Sequence, residues 1–386
     1  MATINTNMIS LNAQRNLGVT QSALALSIQR LSSGLRVNSA KDDAAGLAIA
    51  ERMNSQVRGM NVAIRNANDG ISLAQTAEGA LGKIGDMLQR MRELAVQSAN
   101  ATNSADDRAA LDKEVQSLKS EIGRMASTTS FNGVKILDGS FTARTFQVGA
   151  NSDSTDRISV SDIANAQVTV LGTVKRASVE VDVKNFDAAD LAAGDFQITG
   201  GGVTSTITFS AAATSNAQRA EQMVTQINAQ TEKTGVSAFY DAETQKLTIS
   251  SGSDFTLAEG AADGLGGAIF DAALTAHTAT ETAGMENLKI DTAQGAIDAL
   301  RHIDAAISTI STNRAAMGAL QSRFESVIGN LQISSENVAA ARGRIMDTDF
   351  AAETANLSRA QVLQQAGMAM LSQANAVPQN VLSLLR

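Results

Sequence analysis

The chain has 386 residues, room for two or three domains, and carries 31 basic against 39 acidic side chains for a formal net charge of −8. That balance argues against sequence-independent binding of nucleic acid. It has no cysteine, which excludes a disulfide framework and a thiolate metal site, and its aromatic content of 3% leaves any core to Leu, Ile, Val, Met and Ala.

The N-terminus, Met1 to Asn7, shows no basic n-region, apolar h-region or cleavage signature, and taken alone it predicts a cytoplasmic protein. Residues 8–35 read as an amphipathic helix with Leu17, Leu24, Ile28, Leu31 and Leu35 on one side, ended at Ser33-Gly34. Ser39-Ala-Lys-Asp42 fits a capping box at the start of a much longer helix. Over 44–99 apolar residues recur at spacings of three and four: Met53, Val57, Met60, Ile64, Ala67, Ile71 and Ala74. After a phase slip near Ala77 the stripe resumes as Leu81, Ile84, Leu88, Met91 and Ala95. At 1.5 Å per residue such a helix runs about 80 Å and needs a partner to bury its stripe. Asn68-Asp69-Gly70 is a turn signal inside it, and the stripe overrides that signal because it stays in phase on both sides.

A second box, Ser104-Ala-Asp-Asp107, opens a shorter helix with Leu111, Val115, Leu118 and Ile122. The turns Phe131-Asn132-Gly133 and Asp138-Gly139 close this helical arm. Between about 140 and 285 the texture changes. Residues 178–183, 204–209 and 246–250 alternate with period two, 215–232 reads as one helix through Ala220, Met223, Val224 and Ile227, and Gly200-Gly201-Gly202 forms a loop. This is an α+β insert. Helical periodicity returns near Asp291 and continues to about 342 through Leu300, Ile303, Ile307 and Ile310, then Met317, Leu320, Phe324, Val327 and Leu331. The last arm, 349–386, repeats every seven residues as Leu363, Met370, Val377 and Leu384, with Gly367, Ala374 and Val381 four further on, a pattern suited to close helix pairing. The one proline, Pro378, lies near the end, which leaves the long helical stretches free of their strongest breaker. The expected fold is mainly α with an α+β insert: a long antiparallel helical coiled coil or bundle from the N- and C-terminal arms, and a central β-rich surface domain.

Chemistry is hard to find. The two histidines, His277 and His302, stand apart in sequence without the spacing of a metal site. Gly79-Ala-Leu-Gly82-Lys83 lacks the spacing of a phosphate loop and lies within a helical stripe, and Gly264-Leu-Gly266-Gly267 lacks a strand-then-helix context. Asp42-Asp43 is explained by the preference for acids at a helix start. Met53 and Met60 read as core packing, and Gln89-Arg90-Met91-Arg92-Glu93 as a solvated helix face. No catalytic residue, cofactor or metal is expected. No stretch reaches the ~18 apolar residues of a membrane span, so no membrane insertion is expected either.

The individual runs are more specific than the periodicities. Ile4 to Asn7, Gln29 to Gly46 (QRLSSGLRVNSAKDDAAG), Arg65 to Ile71 (RNANDGI), Leu88 to Asn100 (LQRMRELAVQSAN) and Phe131-Asn132-Gly133 are followed by Asp347 to Phe350, Ser358 to Ala366 and Pro378 to Arg386. In this order they resemble bacterial flagellin, the subunit of the flagellar filament, over most of 1–150 and 290–386. The stretch 218–258 is similar to a β-rich repeat of some flagellins and hook-associated proteins.

The resemblance implies terminal coiled-coil arms at 1–35 and 350–386 lining an inner tube, a helical rod with β-hairpins at 36–176 and 285–349, and a variable surface domain at 177–284. It implies a chain that polymerises with itself, is exported without leader cleavage to the extracellular flagellum, and meets an export chaperone, hook–filament junction proteins and a filament cap. Leu24, Ile28, Leu31, Leu35, Leu363, Met370, Val377 and Leu384 are the expected polymerisation interface. Carried over by resemblance, Gln89, Arg90, Leu94 and Glu114, with Ile303 on the facing helix, are candidates for binding toll-like receptor 5. The competing readings are a hook-associated junction or cap protein and a secreted adhesin on a helical stalk.

Overall fold

The computed structural model describes residues 6–160, 163–186, 194–209, 212–242, 244–259, 276–282 and 284–384. Three helices come first: α1 (Met8–Ser33), α2 (Ala44–Ser98) and α3 (Ala105–Thr128). Two more, α6 (Ala293–Met346) and α7 (Phe350–Leu384), close the chain. Between them lie strands β1 (Ser130–Phe131), β2 (Val134–Lys135), β3 (Arg144–Gln147), β4 (Arg157–Val160), β5 (Val174–Asp182), β6 (Gly194–Gly200) and β7 (Val203–Phe209). Helices α4 (Asn216–Ala229) and α5 (Thr231–Thr234) follow, then β8 (Val236–Asp241), β9 (Lys246–Ser251), β10 (Phe255–Glu259), β11 (Ala276–His277) and β12 (Thr280–Thr282). The fold is mainly α with an α+β insert, as expected. Among the described residues no helix is long and apolar enough to cross a membrane.

The helix ends follow local chemistry. Gly34, at φ +72°, takes the left-handed position past α1, which glycine adopts without a Cβ penalty. At α3 both halves of the capping box form: the Asp107 amide donates to Ser104 Oγ, and the Ser104 amide donates to Asp107 Oδ2. The expected box before α2 is different. Asp42 accepts the amides of Asn38 and Ser39 and so closes a turn, while Asp43 caps the helix by accepting the Gly46 amide. Asn68-Asp69-Gly70 is helical, inside α2.

The buried face of α2 corrects the expected phase slip. It runs Met60, Ala63, Ala67, Gly70, Ala74, Ala77, Leu81, Ile84, Leu88, Met91, Ala95, Ser98, with alternating steps of three and four throughout. The slip arose because alanine and glycine carry half of this line, while bulkier Ile64 and Ile71 beside it are only half-buried. On α6 the same regularity holds through Ala296, Ala299, Ile303, Ala306, Ile310, Met317 and Phe324, and the predicted Leu300 and Ile307 flank it, half-buried.

The chain divides into two compact units. The first comprises Met1–Asp69, Phe146–Ile158 and Phe324–Arg386. Within it Arg342 donates to Asn54 at 2.9 Å, the Phe146 and Phe324 rings meet edge to face at 5.7 Å, and α1 packs along α7. The second unit is Gly70–Thr145 with Ser159–Arg323. In it α2 and α6 run antiparallel, joined by Gln321 to Glu78 at 2.7 Å and Arg92 to Asp304 at 2.7 Å. Arg108 of α3 reaches back to the Ser98 and Asn100 carbonyls and so satisfies the open end of α2.

The insert has two antiparallel four-stranded sheets, ordered β11-β10-β6-β7 and β12-β5-β9-β8. Phe196, Ile207 and Phe255 of one, Val181, Leu247 and Ile249 of the other, and Ala220, Met223 and Ile227 of α4 share a single core. The alternation in 178–183, 204–209 and 246–250 marked β5, β7 and β9, but β6, β8 and β10 escaped sequence reading. The insert is held to α6 by polar contacts: Arg176 to Asp298 at 2.7 Å, and Arg301 to Ser250 Oγ at 3.1 Å and Ser237 Oγ at 2.8 Å. The loop at Gly264 to Gly267 lies outside the described residues. His302 Nδ1 is 2.7 Å from the Gly172 carbonyl, and His277 stacks on Phe255, so each ring has a packing role.

Candidate assembly interface

Helices α1 and α7 pair antiparallel, and the seam mixes half-buried leucines with small and polar side chains. On α1 it runs Ser10, Ala13, Leu17, Thr20, Leu24, Ser27, Leu31; on α7 it runs Glu353, Leu357, Ala360, Gln364, Gly367, Leu371, Ala374. Both lines alternate steps of three and four, the coiled-coil period. Small residues let the backbones approach: a Cβ added at Gly367 would sit 3.3 Å from Leu17 Cδ1. Polar contacts set the register. Asn7 donates to the Ala374 carbonyl and Ser10 to Asn375, both at 2.8 Å, near one end, and Arg30 lies 3.8 Å from the buried Glu353 toward the other. Past Arg30 the two connectors are stitched by a Leu35–Asp347 bridge, by Arg36 N–H to the Met346 carbonyl, and by Thr348 N–H to the Gly34 carbonyl.

Large apolar side chains point away from this seam. Val19, Met8, Ile9 and Ile28 of α1 and Met370, Val362 and Leu363 of α7 are all more than half exposed. Four of them, Met8, Ile9, Leu363 and Met370, line a groove of about 540 Å³ between the two helices, with Leu17 at its wall. Leu24 and Leu31 stand in the seam and Leu35 in the connector bridge, whereas Ile28, Leu363 and Met370 face outward. On α7 the every-seven run of Leu363 and Met370 lies off the α1 seam, whereas Gly367 and Ala374, the small residues four further on, lie in it together with Ala360. Val377 and Leu384 fall beyond the residues whose side chains are described.

The second expected cluster divides. Gln89 is exposed, and Arg90 sits between two carboxylates, donating to Glu114 at 2.9 Å and to Glu93 at 2.9 Å. Those hydrogen bonds, that to Glu114 foremost, hold the Arg90 guanidinium protonated more firmly than usual. Leu94 and Ile303 are core residues, 1% and 0% exposed, and cannot form the apolar centre of a surface patch. Among the described residues there is no group of three or more His, Cys, Asp or Glu side chains that could hold a metal ion.

Comparison with known proteins agrees along the whole chain. The bacterial flagellin N-terminal helical region matches residues 4–142, the bacterial flagellin C-terminal helical region residues 300–385, and the flagellin hook IN motif residues 195–253. The last begins earlier than the repeat expected at 218–258, because it takes in β6 and β7. Flagellin D of Vibrio anguillarum is 41% identical over 99% of this chain and 99% of its own. The B-type flagellin of Pseudomonas aeruginosa is 38% identical over 100% of this chain and 99% of its own. Among solved structures, FliC from Burkholderia pseudomallei aligns at 25% identity over 66% of this chain and 99% of that one, with a TM-score of 0.37, too low to add weight.

Proposed function

Because the chain belongs to the bacterial flagellin family, a family of structural proteins, and is a subunit that self-assembles into the extracellular flagellar filament, we propose that α1 and α7 are its polymerisation surface. The observation that carries this is the division of labour on the pair. The two helices satisfy one another along a lean seam and leave Met8, Ile9, Val19, Ile28, Val362, Leu363 and Met370 outward, where another copy in the filament would cover them. Ile28, Leu363 and Met370 belong to that outer face, while Leu24, Leu31 and Leu35 hold the pair that presents it. The residues 1–35 and 350–386 then form the filament's inner layer, 36–176 and 285–349 the layer around it, and 177–284 the outer surface.

The same exposed face calls for a cover before assembly, which is the role of an export chaperone; junction and cap proteins would meet it at the two filament ends. Export without leader cleavage belongs to this reading through the family likeness. For toll-like receptor 5 the candidate contacts reduce to Gln89, Arg90 and Glu114, with Leu94 and Ile303 acting as their buried support. Seeding purified chain with filament fragments and imaging by negative stain tests the assembly surface. Wild type should give long uniform tubes, and Leu363→Asp should leave seeds unextended while the unit-two helices stay folded. Normal extension by Leu363→Asp would refute the assignment.

A further inference from the structure

Sulfur in this chain is sorted by exposure. Without cysteine, its thirteen methionines are its whole stock of oxidisable sulfur. Met60, Met91, Met223, Met285 and Met317 are buried, and the other methionines described within α2, α3 and α6 are half-buried. Met8, Met368 and Met370 are 64%, 51% and 63% exposed, and all three stand on α1 or α7. Met8 and Met370 line the apolar groove from opposite helices, where the hydrogen-bond donors are confined to Asn12, Asn16 and Thr20.

We propose that Met8, Met368 and Met370 are oxidation sites that decide whether the unassembled chain can join a filament. The claim rests on the reading of α1 and α7 as the polymerisation surface. The oxidant is a two-electron oxygen donor, taken here as hydrogen peroxide. The thioether sulfur attacks one peroxide oxygen, the O–O bond breaks as an S–O bond forms, and the other oxygen leaves as water after a proton shift. Sulfur loses two electrons and peroxide gains them. The product sulfoxide is polar and a strong acceptor on a side chain that assembly must place in an apolar contact. Burying it is unfavourable wherever the contact leaves its oxygen out of reach of Asn12, Asn16 and Thr20. Susceptibility tracks exposure, so the chain is vulnerable before assembly and shielded once neighbours cover the groove. Enzymatic reduction of the sulfoxide restores the original side chain.

The test treats full-length monomer with graded hydrogen peroxide, maps added oxygen by peptide mass spectrometry, and measures elongation on untreated seeds. One oxygen should appear first on Met8, Met368 and Met370, and the critical concentration for elongation should rise about tenfold or more. A Met8→Leu, Met368→Leu, Met370→Leu chain should keep its elongation rate after the same treatment, and methionine sulfoxide reductases should return wild type to its starting rate. Oxidised wild type that elongates normally, an equally inhibited Leu variant, or oxidation led by the buried methionines would each overturn the proposal. If the Leu variant fails to elongate untreated, reductase recovery decides: recovery supports the proposal and its absence overturns it. Untreated Leu363→Asp run in parallel separates the two readings. Its normal elongation removes the assembly surface itself, whereas its failure beside unimpaired oxidised wild type removes only the oxidation claim.

Discussion

At the scale of the residue, single side chains do work that their type alone does not announce. Gly367 sits where a Cβ would already press on Leu17. Gly367→Val should therefore push α7 off α1 and abolish seed elongation, while the far-ultraviolet helix signal of the monomer changes little. Leu94 shows the converse. It is core, so Leu94→Ala should cost about 2–5 kcal/mol in thermal unfolding. It cannot serve as a probe of receptor contact, because lost activity would report unfolding. Arg90→Ala, at an exposed pair, should change stability by less than about 1 kcal/mol, which makes it the informative substitution for receptor activation. Asp42 and Asp107 add a pH dependence of known sign. Amide hydrogen bonds from Ser39 and Asn38 at Asp42, and the Ser104 hydroxyl followed by its amide at Asp107, hold both carboxyls below the ordinary aspartate value of 3.8. A depressed folded pKa contributes stability above the unfolded value and loses it as pH falls through the folded one. The melting temperature of the monomer should therefore drop as pH falls below about 5 and on through the depressed folded values, and Asp107→Asn should flatten part of that drop. An unchanged slope in the variant would show that the capping carboxylate plays no part.

At the scale of the element, the insert enters and leaves through one pair of strands. Val174 of β5 lies opposite Thr282 of β12, so the chain ends that would remain after its removal are already neighbours. Joining residue 176 to 285 through a short Gly/Ser linker should leave a chain that still elongates seeds. A variant that folds by circular dichroism yet fails to add to filament ends would mean that 177–284 supplies an axial contact. The elements themselves differ in how readily the sequence announces them. Ser104 and Asp107, Gly34, and the Phe131-Asn132-Gly133 turn mark their boundaries because each has a local hydrogen bond or backbone conformation behind it. The faces of α2 and α7 were harder to read, since Ala63, Gly70, Ala77 and Ala360 have little hydropathy and are buried for their size. In the insert, β8 lacks clean alternation. Val236 and Ala238 are buried beside half-buried Phe239 and Tyr240, so both faces of β8 read as partly apolar. Long-range pairing with β9 decides such a strand, and a window of local sequence does not contain it. The polar dock of Arg176, Asp298 and Arg301 was illegible for the same reason.

At the scale of the whole molecule, the question is which helices can stand without neighbours. The second unit buries Leu81, Ile84, Leu88, Met91, Ile303 and Ile310 completely or nearly so, and adds α3 to the helix pair. The α1–α7 pair buries Ser10, Ser27, Ala360 and Ala374, keeps its seam leucines only half-buried, and leaves Met8, Ile9, Val19, Val362, Leu363 and Met370 exposed. Isolated helices in water are marginal, and most helical stability in proteins comes from packing an apolar face. A two-helix pair with so lean a seam gains too little to offset the conformational entropy of ordering its backbone. The arms should therefore exchange between helix and unfolded chain in the monomer and become fixed when further copies cover Ile28, Val362, Leu363 and Met370. Binding of that kind is coupled to folding and carries a large negative heat-capacity change. Amide hydrogen exchange on monomer should show 6–33 and 350–384 nearly unprotected while 70–98 is strongly protected, and the same arms should become protected in filament. Arg30→Ala, which leaves the Glu353 carboxylate buried without its partner, should raise the critical concentration for elongation without altering exchange in 70–98. Arms as well protected in the monomer as 70–98 would mean that the pair is stable alone, and that assembly joins surfaces already folded.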